Sequence, residues 1–138
     1  MGLLMLLEKL AFITWLLNLD TTSFEDWLLV GDFNLYRSTE DRNRVGGDAG
    51  DMQMFNDLIS DLELVDIPFG GRSFTWSNMQ LVPLLIKLDW VFCNLSWSLK
   101  YPSTSVQPLS KPTSNHTPYI INFGSSIPRA CIFRFENH

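Results

Sequence analysis

The stretch Trp27-Leu28-Leu29-Val30-Gly31-Asp32-Phe33-Asn34 joins an apolar run directly to a carboxylate and a carboxamide. A short, continuous apolar run is typical of a strand that is covered on both faces. In open α/β architectures, ligands and chemistry lie beyond the carboxyl ends of such strands. We therefore expect Asp32 and Asn34 to mark one end of a functional site.

The composition is that of a folded protein. The 138 residues are 46% hydrophobic and 18% charged, which is enough for one domain with a hydrophobic core. The formal net charge of -5 argues against strong electrostatic binding of nucleic acid, because neutralising phosphates requires a surplus of Lys and Arg. We expect any DNA binding to depend on a local basic patch.

The segment from Met1 to Leu19 is strongly apolar and is interrupted by Glu8 and Lys9. It predicts a buried helix that is enclosed on several sides, with an interfacial membrane helix as the alternative. A basic region and a small-residue cleavage site, the marks of a signal peptide, are missing. A membrane span would need about 20 predominantly apolar residues. We therefore expect no secretion and no membrane span, and favour an intracellular protein, nuclear or cytoplasmic.

The segment from Leu35 to Gly50 is rich in charges and glycines without periodicity, which predicts a surface loop. Because the loop follows Asn34, its arginines, Arg37 among them, are candidates for phosphate contact. The alternative is a solvated loop whose arginines pair with the acidic residues nearby, namely Glu40, Asp41 and Asp48.

Asp51 is expected to cap the helix that follows this loop. The helix is predicted from an apolar stripe at helical spacing, and it should end near Pro68. The stripe consists of Met54, Phe55, Leu58, Ile59, Leu62 and Val65.

The second half of the chain predicts mainly strands. Residues 73–78 and 87–93 have the aromatic and β-branched character of strands. Pro83 suggests a hairpin loop or an edge segment between them. Asp89 interrupts the second of these strands, and a buried carboxylate needs a partner. His116 precedes another predicted strand, 119–123, in a loop that could fold back toward Asp89.

Four motifs in order carry a resemblance to a known family. They are Gly-Asp-Phe-Asn (31–34), Phe-Thr-Trp-Ser-Asn (74–78), Lys-Leu-Asp-Trp-Val-Phe (87–92) and Ser-Asn-His-Thr-Pro (114–118). Together they resemble the endonuclease/exonuclease/phosphatase family, which has the fold of deoxyribonuclease I. The likeness extends to the endonuclease domain of plant LINE-type retrotransposons, in which a stretch similar to Phe-Arg-Phe-Glu-Asn (133–137) also follows.

The resemblance implies an α+β fold, a DNase I-like two-layer β-sandwich flanked by helices. It also implies hydrolysis of DNA phosphodiester bonds with a divalent metal, Mg²⁺. In that mechanism Asp32 would orient or deprotonate the attacking water, and Asn34 would contact the phosphate or that water. His116 would stabilise the phosphoryl oxygens, and Asp89 would fix its tautomer. Thr75 matches a family motif beside the DNA and would contact the substrate or its phosphate.

This sequence also departs from the family pattern. Asn115 stands where the family has an Asp that assists at the metal, and an amide carries no charge. Ile86-Lys87 replaces a Ser-Arg pair. The family's front half, with its metal-binding Glu, has no counterpart before Trp27. We therefore expect one truncated domain over residues 1–138, with an amino-terminal helix and connection over 1–26 and the family-like region over 27–138.

The truncation predicts exposed sheet edges, and therefore self-association. It also predicts weak or absent Mg²⁺ binding and impaired catalysis. The alternative function is a non-catalytic interaction module that binds a partner through the exposed sheet or the apolar helix.

Overall fold

The computed structural model describes residues 3–21, 24–71, 74–110, 114–124 and 131–135, which form a mixed α+β structure. Within these ranges the helices are α1 (Leu3–Leu17), α2 (Ala49–Asp61) and α3 (Leu95–Lys100), with one 3₁₀ turn at Thr39–Asp41. The strands are β1 (Trp27–Asp32), β2 (Val65–Asp66), β3 (Trp76–Ser77), β4 (Leu85–Ile86), β5 (Asp89–Cys93), β6 (Ser105–Pro108), β7 (Tyr119–Asn122) and β8 (Cys131–Phe135).

The main sheet has the strand order β2-β5-β1-β8. Strand β1 is antiparallel to β5 and parallel to β8, and both neighbours pair along most of its length. Two smaller sheets, β3-β4 and β6-β7, are antiparallel pairs. The antiparallel register of β1 and β5 sets Leu29 opposite Phe92 and Asp32 opposite Asp89.

Both faces of β1 are buried, as its continuous apolar run predicts. We call the face of Leu29, Trp90 and Phe92 the helix side, because α1 and α2 pack against it. Leu28 and Val91 belong to the opposite side, where α3 and β6 contribute to a second cluster. Since side chains alternate along a strand, the paired carboxylates of Asp32 and Asp89 also point to the opposite side.

Helix α1 is not enclosed on several sides, and that prediction is wrong. Its Phe12 and Leu16 are buried, but Leu7, Leu10 and Leu17 are 53%, 46% and 54% exposed. Lys9 points inward and pairs with Asp51 of α2. In the part of the chain that is described, no helix is long and apolar enough to cross a membrane, in agreement with the expectation from the sequence.

Both ends of α2 differ from the prediction. Asp48, not Asp51, is the amino-terminal cap, and its side chain accepts from the amides of Gly50 and Asp51. The helix ends at Asp61 rather than near Pro68. Glu63 adopts a left-handed conformation, with a φ of 52°, which is incompatible with a continuing α-helix. The following segment, Val65–Asp66, pairs with β5 as strand β2.

Strand β3 is shorter than the predicted strand 73–78, and it forms a hairpin with β4. The predicted strand 87–93 corresponds to β5 of the main sheet. The Asn78 side chain accepts from the amides of Gln80 and Leu84 and so closes the turn. The Asn43 side chain ties the loop after β1 to the hairpin, because it donates to the Pro83 carbonyl and accepts from the Leu85 amide. The loop and the hairpin therefore support each other.

The capping role of Asp48 is testable. Asp48→Ala should lower the free energy of unfolding by about 1 kcal/mol, because two amides of the first turn of α2 lose their acceptor. Asp57→Ala removes an exposed carboxylate from the same helix and should change it by no more than about 0.5 kcal/mol. Urea unfolding monitored by circular dichroism measures both. Equal effects of the two substitutions would contradict the assignment of the cap.

Candidate active site

Two carboxylates lie side by side because of the strand register. Asp32 is the last residue of β1 and Asp89 is the first of β5, and the two are directly paired. Directly opposite residues of antiparallel strands have Cβ atoms about 4.5–5.5 Å apart. Like charges at that distance repel, so a third group is needed to stabilise the pair.

That group is His116, and backbone contacts with β3 bring it into place. Trp76 and His116 form an isolated antiparallel bridge. On either side of it, the Thr117 amide donates to the Thr75 carbonyl at 2.7 Å and the Ser77 amide donates to the Asn115 carbonyl at 2.9 Å. These contacts fix the backbone of His116 against the hairpin.

The imidazole of His116 lies between the two carboxylates. Its Nδ1 is 2.8 Å from Asp89 Oδ2, and its Nε2 is 3.4 Å from Asp32 Oδ2. Asp89 is buried, whereas the side chain of His116 is 37% exposed. Each ring nitrogen faces a carboxylate oxygen, so a doubly protonated ring can donate to both.

Thr75 lies behind this cluster instead of facing a ligand. It is 1% exposed, and its Oγ1 accepts from the amides of Leu88 and Asp89, both at 3.0 Å. The structure therefore places the predicted phosphate-contacting hydroxyl against the start of β5. There it holds the backbone of Asp89 in position.

Asn34 lies beside Asp32 in a left-handed conformation, with a φ of 54°. Asn tolerates this region better than most residues. Its amide donates to Asp32 Oδ1 at 2.9 Å, and the residue is exposed. The turn therefore orients the Asp32 carboxylate and leaves the Asn34 carboxamide at the surface.

Burial is the largest influence on the Asp32 carboxyl and raises its pKa above the ordinary value. The charge of Asp89 raises this pKa further. The Asn34 amide and His116 act in the other direction and lower it. The net direction is upward, so ionising Asp32 costs the folded state free energy.

Arg37 and Asn115 do not join the cluster. Arg37 Nη1 is 3.0 Å from Asp66 Oδ2, and its Nε donates to Asn56 Oδ1 at 2.7 Å. Asp66 was not among the acidic partners expected for the loop arginines. The Asn115 side chain donates to the Ser77 carbonyl at 3.0 Å, so it supports the hairpin contact.

Two contributors to the site were missed from the sequence. Ser114 Oγ accepts from the His116 amide at 3.2 Å, and a Ser two residues before a loop His is a recognisable signal for such a turn. The Ser77 carbonyl, which holds Asn115, is a backbone group. No side-chain pattern in the sequence points to it.

The raised pKa of Asp32 predicts a stability change. Asp32→Asn should raise the free energy of unfolding at pH 7 by up to about 1 kcal/mol, a small value because the carboxylate is partly solvated. In the unfolded chain Asp32 releases its proton at a lower pH than in the folded chain. The gain should therefore shrink as the pH falls through the raised pKa toward the ordinary carboxyl range.

Urea unfolding at several pH values measures this effect, with Asp57→Asn on the exposed face of α2 as the matched control. A gain that stays constant between pH 7 and the acidic range would contradict the role of burial at Asp32.

No protein-family model matches the chain, and neither a curated protein nor a solved structure matches it. The likeness to the endonuclease/exonuclease/phosphatase family therefore remains a prediction from the four motifs.

Proposed function

We propose that this protein is a phosphodiester-binding domain of the endonuclease/exonuclease/phosphatase type, DNase I-like in fold, whose hydrolytic activity is impaired. The observation that carries the proposal is the convergence of Asp32, Asp89 and His116. They come from three separate segments, and the Asp89–His116 contact of 2.8 Å joins residues 27 positions apart. The same three residues stand in the family-like motifs.

The roles of the three side chains follow from their contacts. Asp89 accepts the Nδ1 proton and so fixes the orientation of the imidazole. A phosphoryl oxygen would replace Asp32 Oδ2, which lies 3.4 Å from Nε2, as the acceptor of the Nε2 proton of His116. Asp32, whose pKa is raised, accepts a proton from water more readily than an ordinary carboxylate. Asn34 at the surface supplies an uncharged donor for the same substrate.

The resemblance implies Mg²⁺, and the donor set is a partial fit. The cluster offers two carboxylate oxygens and one imidazole nitrogen, all within 4.8 Å of one another. Mg²⁺ favours oxygen ligands and keeps several waters, so Asp32 and Asp89 would hold it. When bound, the ion neutralises negative charge at the phosphate.

Impairment follows from Asn115 and from the small number of acidic ligands. Asn115 is a neutral amide that donates to the Ser77 carbonyl, so it adds no charge to the cluster. Among the described residues, the group of His, Cys, Asp and Glu side chains that could hold a metal consists of Asp32, Asp89 and His116. A metal held by so few carboxylates binds weakly.

The wild-type protein with Mg²⁺ should nick supercoiled plasmid no faster than buffer alone. Asn115→Asp should stay at that background, because one added carboxylate does not replace the missing acidic ligands. Gel analysis of plasmid forms measures both rates. Nicking by the wild type that disappears in Asp32→Ala would show that catalysis is intact, and nicking restored by Asn115→Asp would show that the other ligands suffice.

Binding without cleavage tests the site itself. With Mg²⁺ present, a short DNA duplex should shift the imidazole resonances of His116 in side-chain NMR spectra, and Asp89→Asn should weaken that binding because the ring and the metal lose a charged acceptor. The second histidine of the chain, His138, serves as the internal reference. Shifts of equal size at both histidines would contradict a specific site at His116.

The exposed face of α1 favours a second candidate function, self-association as an interaction module. Leu7, Leu10, Thr14 and Leu17 recur at alternating spacings of three and four residues, the pattern of helices that pack along a seam. The three leucines are about half exposed. The same face of a second copy would cover them.

Light scattering after size-exclusion chromatography should then show a dimer that Leu10→Glu converts to a monomer. Leu81→Glu is the matched control, since Leu81 is fully exposed on the hairpin loop. A wild-type protein that stays monomeric at high micromolar concentration would exclude this function.

A further inference from the structure

A cavity of about 340 Å³ lies among the loop after β1, helix α2 and the edge of the main sheet. Its walls include Arg37 and Asp41 from the loop, Asn56 from α2, Asp66 from β2, Lys87 from the segment between β4 and β5, and Trp90 from β5. Its volume is in the range of small-molecule sites.

This cavity is separate from the Asp32 cluster. Trp90 belongs to the helix side of the sheet, and Asp66 is paired with Phe92 of that side. Asp89 neighbours Trp90 along β5 and therefore points to the opposite side. A ligand in the cavity and a ligand at His116 would lie on different sides of the sheet.

The carboxylates that line the cavity already have partners. Asp66 Oδ2 accepts from Arg37 Nη1 at 3.0 Å. Asp41 Oδ2 accepts from the backbone amides of Arg37 and Ser38, at 2.9 and 3.1 Å. Asp66 Oδ1 has no partner in the described part of the chain, but this atom is buried, so it is enclosed by protein and does not face a ligand.

Lys87 is the group that lacks an oxygen partner. Its Nζ lies 4.2 Å from the centroid of the Trp90 ring and 4.8 Å from that of Phe69. Within the described ranges it forms no ion pair. Lys87 is therefore an amine with unused donors at the cavity wall.

Arg37 adds a second cation to the same wall. Its Nε and Nη1 are engaged by Asn56 and Asp66, and the guanidinium still carries further N–H donors. Arg37 and Lys87 both line the cavity, so two cations face one space. An anion with several oxygens would join them, because it can accept from both at once.

We propose that this cavity binds a phosphate group, as inorganic phosphate or as a small phosphomonoester, between Lys87 Nζ and the Arg37 guanidinium. A planar carboxylate presents two oxygens, whereas phosphate presents three or four in a tetrahedral arrangement that suits donors from different directions. The volume leaves room for the organic part of an ester. This binding does not depend on hydrolysis at Asp32.

The first experiment follows the indole N–H resonance of Trp90 by NMR during titration with sodium phosphate, and separately with a phosphomonoester such as glycerol phosphate, at constant ionic strength. Lys87→Met retains the stem over the aromatic rings but removes the charge, and it should weaken phosphate binding at least tenfold. Arg44→Met removes one exposed positive charge elsewhere and should leave the Kd unchanged. Equal losses in both variants, or saturation by neither ligand, would overturn the proposal.

The second experiment uses pyridoxal phosphate, which carries an aldehyde and a phosphate. With its phosphate held by the Arg37 guanidinium, its aldehyde condenses with the Lys87 amine with loss of water, and borohydride then reduces the imine to a secondary amine. Mass spectrometry should find the label mainly on Lys87, and added inorganic phosphate should suppress it several-fold. Equal labelling of Lys87 and Lys100, or labelling of Lys87 that added phosphate does not reduce, would show that the cavity does not select a phosphate group.

Discussion

The antiparallel pairing of β1 with β5 is the contact on which the other features depend. It buries an apolar strand on both faces, and its register sets Asp32 against Asp89. A slip of one residue would turn Asp89 toward the helix side and Trp90 away from it. The two aromatic and aliphatic clusters on either side of the sheet oppose such a slip. The packing of the core therefore determines the position of the candidate site.

The site is nevertheless completed from outside the main sheet. His116 is held by a backbone bridge to Trp76 of the β3-β4 hairpin. Thr75 connects this hairpin to both neighbours, since its hydroxyl accepts from the amides of Leu88 and Asp89 while its carbonyl accepts from the amide of Thr117. Movement of the hairpin relative to β5 would separate His116 from Asp89. A fixed position of the hairpin is therefore a requirement for any chemistry at this place.

Local patterns predicted β1, β5 and the body of α2, because burial selects a continuous apolar run in β1, aromatic and β-branched residues in β5 and an apolar stripe at helical spacing in α2. The need of Asp89 for a partner was also predictable from the sequence, since a carboxylate inside an apolar strand has to be compensated. Contacts between residues far apart in the sequence were not predictable. Asp48 and Asp51 are both suitable caps, and the choice depends on where the loop turns. Arg37 pairs with Asp66, 29 residues away, and the exposure of α1 depends on what packs against it. The DNase I-like arrangement remains a prediction.

The composition of the Asp32 cluster has an electrostatic consequence. Two carboxylates and one imidazole carry a total charge of minus one when the ring is protonated and both acids are ionised, and of minus two when the ring is neutral. A phosphodiester is itself an anion, so the bare cluster repels the ligand that His116 is placed to meet. One divalent cation would bring the total to plus one or to zero. The cluster therefore attracts an anionic substrate only when a cation is bound, because the positive charge of the histidine does not balance two carboxylates.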